Sequence, residues 1–222
     1  MAERRREEMS EKLPSESNVE FYARVGMSGR VGYGTKPAVL VIDEQKGMTD
    51  AECPLGFQAD EMILKSAILI RAAQAKGIPV VYTVVAYKPD MSDAGVFGLK
   101  IPALKMITYD SKWAELDDRL PYDANRDHLL VKKLPSGFFG THLIPILRYH
   151  QVDTIILIGI STSGCVRASA YDGLNYGYRM ILPRECVGDR CKEAHDANLF
   201  DIDGKFGDVT SLEEVLKYFE TV

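Results

Sequence analysis

Five near-continuous apolar runs, at 38–42, 78–85, 128–132, 154–159 and 179–182, set the limits on how this chain can fold. A strand with one wet face alternates apolar and polar residues. These runs mostly do not alternate, so both of their faces must be buried, which is the mark of a parallel sheet. Parallel neighbours need crossovers of a dozen or more residues, usually helical. The intervening stretches supply them. Residues 59–76 place Met62, Ile63, Ala67, Ile70 and Ala73 close to helical spacing, and Gly77 is placed to end that helix. Further helices are predicted at about 140–150, 164–177 and 211–220, the last opened by the capping-box pair Ser211 and Glu214. Another strand is predicted near 206–209. The alternation predicts a three-layer α/β/α domain around a mostly parallel sheet, joined by right-handed crossovers.

A chain of 222 residues suits one such domain and is short for two. Residues 1–36 read as an N-terminal arm: a charged, helix-prone opening, a break at Pro14, and a passage containing Gly26, Gly29, Gly32 and Gly34. Too little of it is apolar for a core of its own. It is expected to pack on the domain, 37–222, or on a neighbouring subunit. Residues 86–126 form a long irregular excursion containing Pro89, Pro102 and Pro121. A connection of that length inside a compact domain points to a functional lid or an interface.

Composition removes several function classes. A net charge of −5 with acidic and basic residues interspersed argues against a nucleic-acid surface. No run of 18 apolar residues offers a membrane span, and Arg4-Arg5-Arg6 has no apolar stretch behind it to make a secretory signal. A cytoplasmic setting is therefore expected, with Cys53, Cys165, Cys186 and Cys191 reduced; a Cys186–Cys191 disulfide is the alternative. The four His residues, at 128, 142, 150 and 195, lack zinc-ligand spacing, so no metal is expected.

Three of the apolar runs lead into a reactive side chain. Residues 38–42 are followed by Asp43, 128–131 by Lys132, and 154–159 by a polar turn and then Cys165. In an open parallel sheet the crevice at the strands' carboxyl ends is where ligands bind, so a carboxylate, an ammonium and a thiol would meet there. A thiol at a strand-to-helix turn sits near the positive end of a helix, which favours thiolate, and nearby backbone N–H groups can hold an oxyanion. Each residue also has a plainer reading. Cys165 could be a small buried side chain, Asp43 a cap and Lys132 a solvated strand end. Adjacent strand residues point to opposite faces, so only one of Lys132 and Lys133 can enter the crevice.

Taken together, the segments Val41-Ile42-Asp43-Glu44-Gln45, Lys132-Lys133-Leu134-Pro135-Ser136-Gly137-Phe138 and Gly159-Ile160-Ser161-Thr162-Ser163-Gly164-Cys165-Val166 resemble the isochorismatase-like cysteine hydrolases, over about residues 30–220. Within these the chain is most similar to the N-carbamoylsarcosine amidase and maleamate amidohydrolase branch, including the tail Gly188-Asp189-Arg190 and His195 to Asp203. The resemblance implies a Rossmann-like sheet and a catalytic triad of Asp43, Lys132 and Cys165. It selects Lys132 over Lys133 because the family lysine lies four residues before a Ser-Ala-Phe motif, here Ser136-Gly137-Phe138. It implies a cis peptide at Ile160–Ser161 and an oxyanion hole from the N–H groups of Ser161 and Cys165. Arg190 is expected to clamp a substrate carboxylate, and Thr162 to make a lesser polar contact with substrate. The implied reaction is cofactor-free hydrolysis of a small linear amide or carbamoyl compound bearing a carboxylate, with ammonia released. Maleamate or a ureido acid is the alternative substrate, and a catalytically silent binding or structural subunit is the competing class. The histidine and aspartate metal cluster of nicotinamidases has no counterpart, because no His lies between 44 and 127. Relatives of this branch imply a homotetramer.

Overall fold

In the computed structural model, residues 12–222 are described; the charged opening of the arm lies outside them. The apolar runs form β1 (Pro37–Ile42), β2 (Val80–Val85), β3 (His128–Lys132), β4 (Thr154–Ile160) and β5 (Arg179–Pro183). Two short strands, β6 (Val187–Gly188) and β7 (Asp208–Thr210), complete the sheet among the described residues. Every ladder is parallel, in the order β3-β2-β1-β4-β5-β7, with β6 on the upper end of β4. The chain builds outward from β1 through β2 to β3, then returns to place β4 on the other side of β1. The order therefore reverses between β1 and β4, and their carboxyl ends frame the crevice where ligands bind in such sheets.

Side chains of the inner strands alternate between two cores. Val39, Val41, Val80, Tyr82, Ile156 and Ile158 pack on one face beneath α3 (Asp60–Ala75) and α8 (Leu212–Phe219). Leu40, Ile42, Val81, Leu130 and Leu157 pack on the other beneath α5 (Leu143–Tyr149), α6 (Arg167–Asn175) and α7 (Lys192–Lys205). β1 and β4 are buried at every position, as their unbroken hydropathy requires. α3 ends as expected. Gly77 takes φ +70°, its N–H bonds to the Gln74 carbonyl at 3.1 Å, and the Ile78 N–H bonds to Ala73 at 3.0 Å, a Schellman closure. α8 opens on the Ser211/Glu214 capping box.

A short α2 (Lys46–Thr49) follows β1, and the other helices depart from expectation in detail. The stretch 164–177 is a wide π-type turn, Thr162–Val166, running into α6. α7 was not expected. Its apolar residues are scattered around the axis and only Ile202 and Gly204 are buried, so no helical stripe is visible in the sequence. The excursion 86–126 contains α4 (Gly95–Lys100) and two short 3₁₀ turns, Pro102–Met106 and Lys112–Ala114. The described part of the arm carries α1 (Asn18–Arg24) and packs on the end of its own domain. Tyr22 lies against Phe200 at 4.6 Å between ring centroids, and the N–H groups of Val31 and Gly32 bond to the Asp208 carboxylate at 3.0 and 2.8 Å.

Candidate active site

Asp43 is the first residue beyond β1, with left-handed backbone at φ +51° and no exposed surface. Its N–H bonds to the Thr83 carbonyl at 3.1 Å, and the Thr83 hydroxyl donates to its Oδ1 at 2.8 Å. Its Oδ2 faces Lys132 Nζ at 2.7 Å, both side chains being completely buried. Nζ also reaches Cys165 Sγ at 3.4 Å and the Leu134 carbonyl at 3.1 Å. One ammonium therefore joins the carboxylate to the thiol, and the three strand ends converge as the sequence suggested. Lys133 points the other way, to Asp93 at 2.7 Å.

Burial and charge set the protonation states. Burial pushes the Cys165 thiol up to about 12; Lys132 pulls it back and the Asp43 charge pushes it further up. The thiol is thus protonated at neutral pH. This corrects the expectation that the helix end favours a thiolate: burial outweighs the favourable dipole. Burial also acts to lower Lys132, but the charge of Asp43 and the hydrogen bonds to Asp43 and Cys165 overcome it and raise its pKa overall. Lys132 stays an ammonium.

Cys165 sits within the π-type turn after β4, and the peptide Ile160–Ser161 that opens this turn is cis. Two contacts fix the turn against the rest of the site. Asp189 Oδ2 accepts the Ser163 N–H at 2.8 Å and its hydroxyl at 2.7 Å. Ser169 donates to the Cys165 carbonyl at 2.7 Å and accepts the Gly137 N–H at 2.9 Å, tying the segment after Lys132 to the nucleophile turn. Gly137, the departure from the family motif, leaves this wall closely packed: an added methyl there would meet the tip of Ile42 at 3.0 Å, with Ser169 Oγ at 3.5 Å and Thr83 Cγ2 at 3.6 Å. Gly159 is under a firmer constraint. It pairs with Ile42, has φ +121°, and a Cβ on it would lie 2.0 Å from the Ile42 carbonyl oxygen.

Cys165 opens into a cleft of about 380 Å³. Polar Ser161, Ser163 and Arg190 and apolar Met48, Leu55, Phe97, Ile101 and Leu104 are among the residues that line it. Arg190 spans the mouth. Its guanidinium bonds to the Leu55 carbonyl at 2.6 Å and to Ser161 Oγ at 3.0 Å, and among the described residues it pairs with no acidic side chain. Thr162, expected to make a lesser polar contact with substrate, lies differently. It is fully buried and absent from the cleft lining, because the wide turn aims its hydroxyl at His195 Nδ1, 2.8 Å away in α7. A more open cleft of about 480 Å³ by Lys46, Asp60 and Asp117 holds none of the three reactive residues.

Two contributors went unnoticed in the sequence. Thr83 is the one aliphatic hydroxyl in a Val-rich strand, and the register opposite Ile42 brings it to Asp43. Gln45 extends the β1–β2 ladder with its side chain, donating to the Val85 carbonyl at 3.0 Å and accepting its N–H at 2.7 Å, while a second donor reaches Trp113 at 2.8 Å.

This arrangement has known counterparts. The isochorismatase domain matches residues 37–214, the whole sheet and all three reactive positions. The chain belongs to the isochorismatase family. It is 41% identical over 192 residues to the maleamate amidohydrolase of Pseudomonas putida, covering 85% of this chain and 89% of the relative. It is 37% identical over 213 residues to the N-carbamoylsarcosine amidase of an Arthrobacter species, covering 93% and 80%. Among solved structures, a cysteine hydrolase from Pseudomonas syringae pv. phaseolicola superposes with a TM-score of 0.82 at 25% identity, covering 87% of this chain and 98% of the other. The family member thus stands among hydrolases of carbon–nitrogen bonds in linear amides, with an isochorismatase-like hydrolase fold. Among the described residues no helix is long and apolar enough to cross a membrane.

Proposed function

We propose that this family member cleaves the terminal amide or carbamoyl group of a small carboxylate-bearing substrate through Cys165 and releases ammonia, in the manner of an N-carbamoylsarcosine amidase. The observation that carries the reading is a cleft lined by Cys165 and Arg190, in which the thiol is backed by the buried Lys132 ammonium and Asp43 carboxylate and the arginine has no acidic partner among the described residues. The Cys165 proton passes to Asp43 as sulfur attacks the carbonyl carbon, and the carbonyl π pair moves to oxygen. The N–H groups of Ser161 and Cys165 hold that oxyanion. When the oxyanion collapses, the C–N bond breaks, Asp43 returns the proton to the departing nitrogen, and a thioester or thiocarbamate remains on Cys165. Asp43 then takes a proton from water, whose oxygen attacks the acyl carbon; as this second adduct collapses the C–S bond breaks, and Asp43 returns the proton to sulfur. Lys132 stays charged throughout and offsets whichever partner is anionic. Maleamate or a ureido acid is the alternative substrate, supported by the Pseudomonas putida relative.

An ammonia-release screen over short amides with and without a carboxylate tests this. Cys165→Ala should be inactive on all of them. Arg190 is exposed and already holds Leu55 and Ser161, so its charge-assisted bond to a carboxylate contributes about 1.5–3 kcal/mol. Arg190→Ala should therefore lower kcat/KM roughly ten- to hundredfold on carboxylate amides alone. Equal losses on neutral amides would make Arg190 a support for the Leu55 loop. The reading extends to a homo-oligomer, a tetramer by family resemblance, in a reducing cytoplasmic setting that suits four free thiols. Val96 and Leu99 of α4 are 79% and 80% exposed, a pair that a subunit contact would cover. A mass near that of one 24.8 kDa chain in light scattering would exclude it.

A further inference from the structure

Lys133, next to the buried ammonium of the site, is itself bound to the excursion that forms the cleft's apolar wall. We propose that Lys133 is a positioning residue, a latch that holds this wall in place and so sets affinity for the substrate's body. The proposal rests on the amidohydrolase reading only for its kinetic arm. Lys133 Nζ gathers three separate points of the excursion: Asp93 Oδ2 at 2.7 Å, the Tyr109 hydroxyl at 2.6 Å and the Ala86 carbonyl. It also lies 4.1 Å from the centre of the Tyr109 ring. The other oxygen of Asp93 accepts the Lys88 N–H at 2.9 Å, closing the loop that leads into α4. α4 begins two residues later, and Phe97, Ile101 and Leu104 then face the cleft.

Apolar packing alone holds this wall weakly. Its cluster has four buried members, Val85, Tyr87, Ala94 and Leu104, with partly buried Leu55, Met91, Phe97 and Ile101 against them, and of these eight Leu55 also packs on a main core. The outer side chains of α4 contribute nothing to it. The base of the excursion is fastened independently: the Tyr87 N–H bonds to Ile107 at 3.0 Å, the Tyr109 N–H bonds to Tyr87 at 2.9 Å, and the Tyr87 hydroxyl bonds to the Lys133 carbonyl at 2.7 Å. These bonds survive loss of the Lys133 side chain. Without the ammonium, the segment 88–104 keeps its ends and loses its central tie, so it should loosen locally while the domain stays folded.

The test compares Lys133→Ala, Asp93→Asn, their double variant and Lys133→Arg with the unaltered protein. Hydrogen exchange of residues 94–104 should quicken about tenfold in both single variants, no further in the double, and be largely restored in Lys133→Arg. Exchange in β1 and β4 should not change. On the amide turned over best in the ammonia screen, KM should rise about tenfold in Lys133→Ala with kcat within twofold. Unchanged exchange at 94–104 would overturn the latch, as would an equal rise throughout the protein in both single variants. A fall in kcat matching the rise in KM would also overturn it. If no amide is hydrolysed, the functional reading fails, and the exchange data still decide the latch.

Discussion

Removing the Lys132 ammonium isolates what the buried pair does for the fold from what it does for chemistry. At 2.7 Å the attraction between Nζ and Asp43 Oδ2 is about 6 kcal/mol at an effective dielectric of 20. Most of that offsets the desolvation of two fully buried charges, so the intact pair adds little net stability. Lys132→Met, however, leaves Asp43 charged and unpaired, its Thr83 bond the main remaining support, and the expected loss is about 3–5 kcal/mol. In a chain of this size that lowers Tm by roughly 6–20 °C. Adding Asp43→Asn removes the orphan charge while keeping an acceptor for the Thr83 hydroxyl, so the double variant should recover most of the loss and still be inactive. The pH must be chosen with the sign in mind. The folded pKa of Lys132 is raised above its ordinary value, so its contribution is fully present below the usual lysine range and is lost as pH rises beyond it. Between pH 6 and 9 the comparison is flat, and calorimetry at pH 7 suffices. A Lys132→Met protein melting within 1 °C of the unaltered one, or a double variant no better than the single, would refute the argument.

Other outcomes follow from the same site. Because burial holds the Cys165 thiol up to about 12, its alkylation by iodoacetamide should keep rising through pH 7–10; a plateau below pH 8, read by peptide mass spectrometry, would show a resting thiolate. Glu44 points away from the cleft and is fully buried, bonded to Ser66 at 2.8 Å, and burial pushes it up to about 8. A carboxyl with a raised folded pKa costs stability as pH climbs from the ordinary carboxylate range to that value. Glu44→Gln should therefore flatten the fall in Tm between pH 5 and 8.5; parallel melting curves for the two proteins would contradict this.

The inner strands were legible because burial on both faces leaves an unbroken hydropathy signal, whereas edge strand β3 is an apolar run although Leu129 and Val131 are exposed. Asp43, Lys132 and Cys165 were legible because they lie at or beyond strand ends that must meet. What depended on direction within a turn was not. Thr162 is polar and lies three residues before Cys165, yet the wide turn sends it to His195. The thiol's charge state was misjudged because the helix-end argument is local, whereas burial is a property of the assembled site. Thr83 and the Lys133 latch join residues 40 and 24–47 positions apart, and no local pattern announces such pairs. α7 stayed hidden because it covers the domain with few buried side chains.

The contact at Gly159 sets a dimension that no reactive group sets. The base follows Ile42 and the nucleophile turn follows Ile160, and the gap between these two backbones is as narrow as a hydrogen atom in place of a methyl permits. The gauge of the site is thus an absent side chain. A scan of all substitutions would show position 159 to be as intolerant as Cys165, although it carries no reacting atom, and the loss would appear for alanine as fully as for any larger residue.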